Sequence, residues 1–193
     1  MTDQPTPPLG GAPGELWTLG HWNCPAEVLG RTLDSAAIEL VADVRKLPGS
    51  RTSPHFDADQ LASWLGDHGI GYTHLPELGG RRPRQPDVPP ATNAGWRNPS
   101  FRNYADYTLG VEFAAGLAHL AALAGQQRTT LLCGEPLPWR CHRLLIANIL
   151  VARGWRVVHL QNNGRPLVHR LGQWGAPPEL RPDGTLTYPA PAG

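Results

Sequence analysis

The chain has 193 residues and a formal net charge of +1. That length suits one well-buried domain, and the charge is too balanced for the whole-molecule field to select nucleic acid or a membrane. No stretch approaches the roughly 18 apolar residues of a spanning helix. The N-terminus MTDQPTPPLGGAPG also lacks an apolar signal core, so a cytoplasmic protein without membrane association is expected. Three cysteines are too few for a disulfide framework and are expected to be reduced.

Residues 1–14 are rich in Pro and Gly and read as a disordered tail. Strand and helix patterns then alternate. Glu15–Gly20 reads as a first strand and 25–36 as a helix, with Asn23 as its cap and Pro25 in the first turn. Ile38–Val44 is a second strand, Asp57–His68 a helix closed by Gly69, and Ile70–Leu75 a third strand. A long loop rich in Gly, Pro and Arg follows over 77–100. The span 101–124 is helical and broken near Gly110. Thr129–Cys133 is a fourth strand, 140–153 a helix ended by Gly154, and Trp155–Leu160 a fifth strand. Beyond 161 the pattern allows a short helix near 166–171 and an edge strand at Thr185–Tyr188. The reading is an α/β catalytic domain over 15–161, Rossmann-like, with a mostly parallel five-stranded sheet flanked by helices. A C-terminal extension over 162–193 packs on it or is partly ordered.

In such sheets ligands bind beyond the carboxyl ends of the strands. His21 follows the first strand, Asp43 and Arg45 the second, Glu77 and GGRR (79–82) the third, Cys133 and Glu135 the fourth, and His159 and Asn162 the fifth. Reactive side chains therefore gather at one edge of the expected sheet. The bland alternative, that loops are simply polar, explains poorly why Asp43 and Cys133 end apolar runs.

Six blocks occur in order: LGHWN (19–23), ADVRKLPGSR (42–51), HLPELGGRR (74–82), FRNYADY (101–107), CGEPLPWRCHR (133–143) and LIANILVARGWRVVHL (145–160). Together they resemble the bacterial domain of unknown function 488 over about residues 16–160. One departure is Gly134, where members of that family commonly carry Ala. The resemblance implies a small Rossmann-like α/β domain and no particular reaction.

The segment Cys133–Arg143 admits four readings. A thiolate cradle of the phosphatase or sulfurtransferase kind is disfavoured by Pro136 and Pro138, which have no N–H to give, by the acidic Glu135, and by an Arg arriving one residue late. A metal site could draw on Cys133, Cys141 and His142, with zinc or iron as the ion. Against it, neighbours on a helix point about 100° apart. Buried cysteines can simply pack. The fourth reading is the most economical. Arg140, His142 and Arg143 at a helix start favour an anion, with Glu135 and Asp43 opposite.

Asp43 and Arg45 could equally form an ion pair that orders a loop, Glu77 could cap a turn, and His21 could make a structural hydrogen bond. Around residues 81–107 arginines interleave with aromatics, as in sites for unpaired nucleotides, although Tyr104 and Tyr107 could pack instead. The expected function is an enzyme acting on a phosphate-bearing substrate, a nucleic acid or nucleotide, by carboxylate chemistry such as N-glycosidic hydrolysis. Its catalytic candidates are Asp43, Glu135, Glu77 and His21. Its substrate-binding candidates are Arg45, Arg51, Arg81, Arg82, Tyr104, Tyr107, Arg140, His142 and Arg143. No cofactor is expected on this reading. A thiol- or metal-dependent enzyme and a non-catalytic nucleic-acid-binding module are the alternatives.

Overall fold

In the computed structural model the described residues are 14–49, 53–162 and 164–191. The tail expected at 1–14 lies outside them except for Gly14, and Arg51 lies outside them as well.

Strands β1 (Glu15–Gly20), β2 (Leu40–Asp43), β3 (Gly71–His74), β4 (Thr129–Cys133) and β5 (Arg156–His159) run parallel, in the order β3-β2-β4-β1-β5. The sheet has six strands where five were expected, because β6 (Leu167–Val168) adds antiparallel to β5. This short strand occupies the place read as a helix near 166–171. Pairing there, with His169 N–H donating to the Val157 carbonyl at 2.8 Å, satisfies backbone groups that β5 would otherwise leave open at the edge.

Both faces of the sheet are covered, which is why β4 reads as a run of buried residues and not as an alternation. Helices α1 (Ala26–Ser35) and α2 (Ala58–Asp67) pack Leu29, Leu33, Leu61 and Leu65 against Trp17, Leu19, Val41 and Leu132. On the opposite face α3 (Pro99–Tyr107), α4 (Val111–Ala124) and α5 (Arg143–Ala152) cover Leu16, Ala42, Leu131 and Val157. The break expected near Gly110 is present: Gly110 caps α4, and α3 and α4 meet at 78°. No single helix among the described residues is long and apolar enough to cross a membrane.

The helix expected over 140–153 begins three residues later. Pro138–Arg140 instead forms a 3₁₀ turn, with Arg140 N–H on the Leu137 carbonyl at 3.0 Å and Cys141 N–H on that of Pro138 at 3.1 Å. Cys141 is then extended (φ −125°, ψ 149°) before α5 starts at Arg143. The segment after 161 contributes to the core: Tyr188 is fully buried, and its N–H donates to Asn93 Oδ1 at 2.9 Å. The edge strand expected near 185 appears as β8 (Leu186–Thr187), paired with β7 (Glu179–Leu180) in a separate ribbon.

Candidate functional site

Strands β1 and β4 are neighbours, but their connections leave in opposite senses. The chain after β1 goes to α1 on one face, and the chain after β4 goes to α5 on the other. That divergence opens a crevice at their carboxyl ends. Two backbone bonds tie its walls, His21 N–H to the Cys133 carbonyl and Trp22 N–H to that of Gly134, both at 2.9 Å. Gly20 allows this approach, since a Cβ there would lie 2.0 Å from the Glu135 carbonyl oxygen.

The crevice widens into a cavity of about 650 Å³, within the roughly 300–1,000 Å³ typical of small-ligand sites. Cys133, Glu135, Cys141 and His142 line it, with Arg45, Lys46, Arg81 and Arg140 as cations and Trp22, Phe101 and Tyr104 as aromatic surfaces. Trp22 (φ 49°) and Arg81 (φ 56°) hold left-handed backbone conformations, which cost a non-glycine residue free energy and gather at functional sites. Trp22 is 60% exposed at the rim.

The sequence candidates divide into those that face the cavity and those that support it. Asp43 is fully buried. Its Oδ1 accepts from Arg45 N–H at 3.0 Å and Nε–H at 2.9 Å, and its Oδ2 from Arg45 Nη2 at 2.5 Å and the Tyr72 hydroxyl at 2.8 Å. Arg45 also donates to the Phe56 carbonyl at 2.7 Å. Burial alone would lower the Arg45 pKa, and Asp43 more than offsets it. The arrangement is the loop-ordering ion pair, and Asp43 does not line the cavity. His21 stacks on Phe56 at 3.9 Å. Burial, with Arg45 alongside, pulls its pKa down to about 4, so the ring is neutral at pH 7. Its Nδ1–H donates to the Trp22 carbonyl and Nε2 accepts from Arg45 at 3.3 Å.

Glu77, Arg82 and Tyr107 form a mount behind the cavity wall. The Tyr107 hydroxyl donates to the Glu77 carbonyl at 2.6 Å, and that of Tyr104 to the Leu78 carbonyl at 2.7 Å. The Arg82 guanidinium lies 3.9 Å over the Tyr107 ring and donates to the Gly79 and Glu77 carbonyls. Both tyrosines thus use their hydroxyls on backbone. Only Tyr104 reaches the cavity, its ring 5.0 Å from that of His142.

At the floor, Cys133 Sγ, Cys141 Sγ and a His142 ring nitrogen lie within 4.8 Å of one another. Cys133 hydrogen-bonds Cys141, and this bond, with burial, pushes the Cys133 thiol up. Burial opposes ionisation of Cys141 too, but the Cys133 bond, His142 and Arg143 together hold it well below the ordinary thiol value. Arg143 is 1% exposed. Its guanidinium turns away from the cavity and donates to Cys141 Sγ at 3.4 Å, Thr18 Oγ1 at 3.1 Å and the Glu135 carbonyl.

The family model for the domain of unknown function DUF488 matches residues 25–150. The chain belongs to this family. No curated protein and no solved structure matches it. The Ala that the family resemblance implies at position 134 would fit, since a Cβ on Gly134 would meet His21 Nε2 at 3.7 Å, an ordinary contact.

Sequence reasoning placed the double glycine of GGRR (79–82) after the third strand but gave Gly80 no role at the site. A Cβ on it would fall 2.7 Å from His142 Nδ1, so the Gly79-Gly80 turn is what lets the β3 loop close over the imidazole. The double glycine after a strand end was the available signal. Sequence reasoning missed a buried hydrogen-bond chain behind the floor. Thr18 Oγ1 bonds His159 Nδ1 at 2.7 Å, His159 Nε2 bonds His169 Nδ1 at 3.0 Å, and His169 Nε2 bonds Asn148 Oδ1 at 2.9 Å. Arg143 donates into Thr18, and the amide oxygen of Asn148 only accepts, so one set of protons satisfies the chain with both histidines neutral.

Proposed function

We propose that this DUF488 protein is an enzyme acting on a phosphate-bearing substrate, a nucleic acid or nucleotide, bound at the carboxyl ends of β1 and β4. The observation that carries the reading is the charge of the cavity lining among the described residues: Arg45, Lys46, Arg81 and Arg140 against the single acid Glu135. Arg45 is committed to Asp43, but among the described residues Arg81 and Arg140 have no ion-pair partner. Guanidiniums at the mouth of a partly desolvated cavity favour phosphate oxygens, which they can grip with two N–H groups at once. Trp22, Phe101 and Tyr104 offer surfaces on which an unpaired base can stack.

Of the four catalytic candidates, Glu135 alone lines the cavity. Its Oε1 accepts from Leu137 N–H at 3.1 Å, which holds the side chain near the thiols without using its second oxygen. Hydrolysis of an N-glycosidic bond suits one carboxyl group. Glu135 protonates the leaving nitrogen as the C–N bond breaks, water adds to the anomeric carbon, and the proton lost by that water returns to Glu135.

The test is incubation with single- and double-stranded oligonucleotides, intact and carrying damaged bases, followed by assay of base release and strand cleavage. Turnover lost in Glu135→Gln, with binding weakened in Arg81→Ala and Arg140→Ala, is the expected result. Oligonucleotide binding that ignores salt concentration overturns the reading, because phosphate contacts release counterions.

A further inference from the structure

We propose that Cys133, Cys141 and His142 form a three-ligand zinc site at the floor of the cavity, with its fourth position open to solvent and substrate. The site goes beyond the phosphate reading, and either can fail without the other.

Among the described residues this is the group of His, Cys, Asp or Glu side chains whose donor atoms converge closely enough for one ion, all within 4.8 Å of one another. Cys141 Sγ lies 3.5 Å from His142 Nδ1. In a tetrahedral zinc centre, with Zn–S and Zn–N lengths of about 2.3 and 2.05 Å, the S···N edge comes to about 3.6 Å. The pair already stands at the spacing that an ion between them would impose.

The imidazole is oriented for the task. His142 Nε2–H donates to the Val44 carbonyl at 3.1 Å, which places the lone pair on Nδ1, the atom turned to the sulfur. Fixing a ligand histidine through its other nitrogen is the usual outer-sphere arrangement of metal sites. Arg143 Nε–H donates to Cys141 Sγ at 3.4 Å. Its buried guanidinium has neutral partners otherwise, Thr18 Oγ1 and the Glu135 carbonyl, so a thiolate ligand is the counter-charge at hand. The objection from helix geometry falls away, since Cys141 is extended and precedes α5, and adjacent residues outside a helix can converge.

Two thiolates and an imidazole form a soft to borderline donor set that suits zinc better than magnesium, calcium or manganese. All three ligands line the cavity, so a bound ion faces it, as in catalytic zinc sites that keep one position open. Zinc there would supply an acidified water in the same chamber as Glu135.

The experiment is elemental analysis of the full chain purified under reducing conditions without immobilised-metal chromatography. About one zinc per chain is expected, retained in Cys24→Ser, the third cysteine, which does not line this cavity, and lost in Cys141→Ser and His142→Gln. Cobalt(II) added to chelator-treated, unmodified protein should give thiolate-to-cobalt charge-transfer absorption and the intense d–d bands of a four-coordinate ion, which needs no variant to fold. Gly80→Ala should weaken zinc binding while the far-ultraviolet circular dichroism stays unchanged, because its Cβ would fall 2.7 Å from His142 Nδ1, the ligand atom. Three results overturn the site: reduced, folded protein that takes up neither zinc nor cobalt, a cobalt spectrum without thiolate charge transfer, or equal zinc loss in Cys24→Ser. Phosphate binding is measured separately, as salt-dependent oligonucleotide affinity of the chelator-treated protein.

Discussion

Asp43→Asn separates a structural aspartate from a catalytic one. Asp43 is fully buried and accepts from Arg45 through backbone and guanidinium and from Tyr72. Asn is nearly isosteric, but it removes the charge and turns an N–H₂ toward donors. Arg45, 8% exposed, then keeps a buried charge with no carboxylate. Removing one partner of a buried pair costs about 3–5 kcal/mol. For a chain of this length that corresponds to a fall in Tm of roughly 10 °C, at about 2–4 °C per kcal/mol. Thermal and urea unfolding followed by circular dichroism reads it directly. The double variant Asp43→Leu with Arg45→Met should recover much of the loss, because no charge is then left unpaired. The reasoning is refuted if Asp43→Asn melts with the unmodified protein and yet abolishes turnover, which would make Asp43 a base and not a buried counter-ion.

Stability should also fall on acidification. Burial pulls His169 from 6.5 to about 4, and burial with His169 and Arg143 nearby pulls His159 to about 3. Below pH 6.5 the unfolded chain takes up protons that the folded one refuses, so stability is full above that pH and is lost as pH falls toward 4 and then 3. For His169 alone the drop from 6.5 to about 4 corresponds to about 3 kcal/mol, and urea midpoints between pH 7.5 and 4.5 that do not move would refute it. Arg81→Ala and Arg140→Ala should each lower the salt slope of single-strand binding by about 0.7 if each removes one phosphate contact. Gly20→Ala should cost about 3 kcal/mol or more, because its Cβ would fall 2.0 Å from the Glu135 carbonyl. Gly134→Ala should be neutral or stabilising by up to about 1 kcal/mol, and denaturation midpoints of the two variants test the contrast.

The parallel strands were legible because they are short apolar runs between helical patterns, and Glu15–Gly20 and Thr129–Cys133 coincide with the residues read. The α5 boundary was misplaced because apolar periodicity does not register that Pro136 and Pro138 delay the helix and leave Cys141 extended. The sixth strand was hidden because β6 is two residues long, with no periodicity of its own, and exists through pairing with β5.

The sequence by itself determined the alternation of strand and helix, and with it the edge where reactive residues collect, since period and turn chemistry are local. Only the tertiary structure decided which of those residues face one another. Asp43 and Glu77 each end a strand region just as Glu135 does, but Asp43 is enclosed by Arg45 and Tyr72, Glu77 is carried by the mount with Tyr107 and Arg82, and Glu135 opens on the cavity. Cys133 and Cys141 stand eight positions apart in the chain, and a proline-shaped loop folds them onto His142. Side-chain direction depends on the backbone angles of such loops and on the partners that cross-sheet packing brings up, and neither is written in a local pattern.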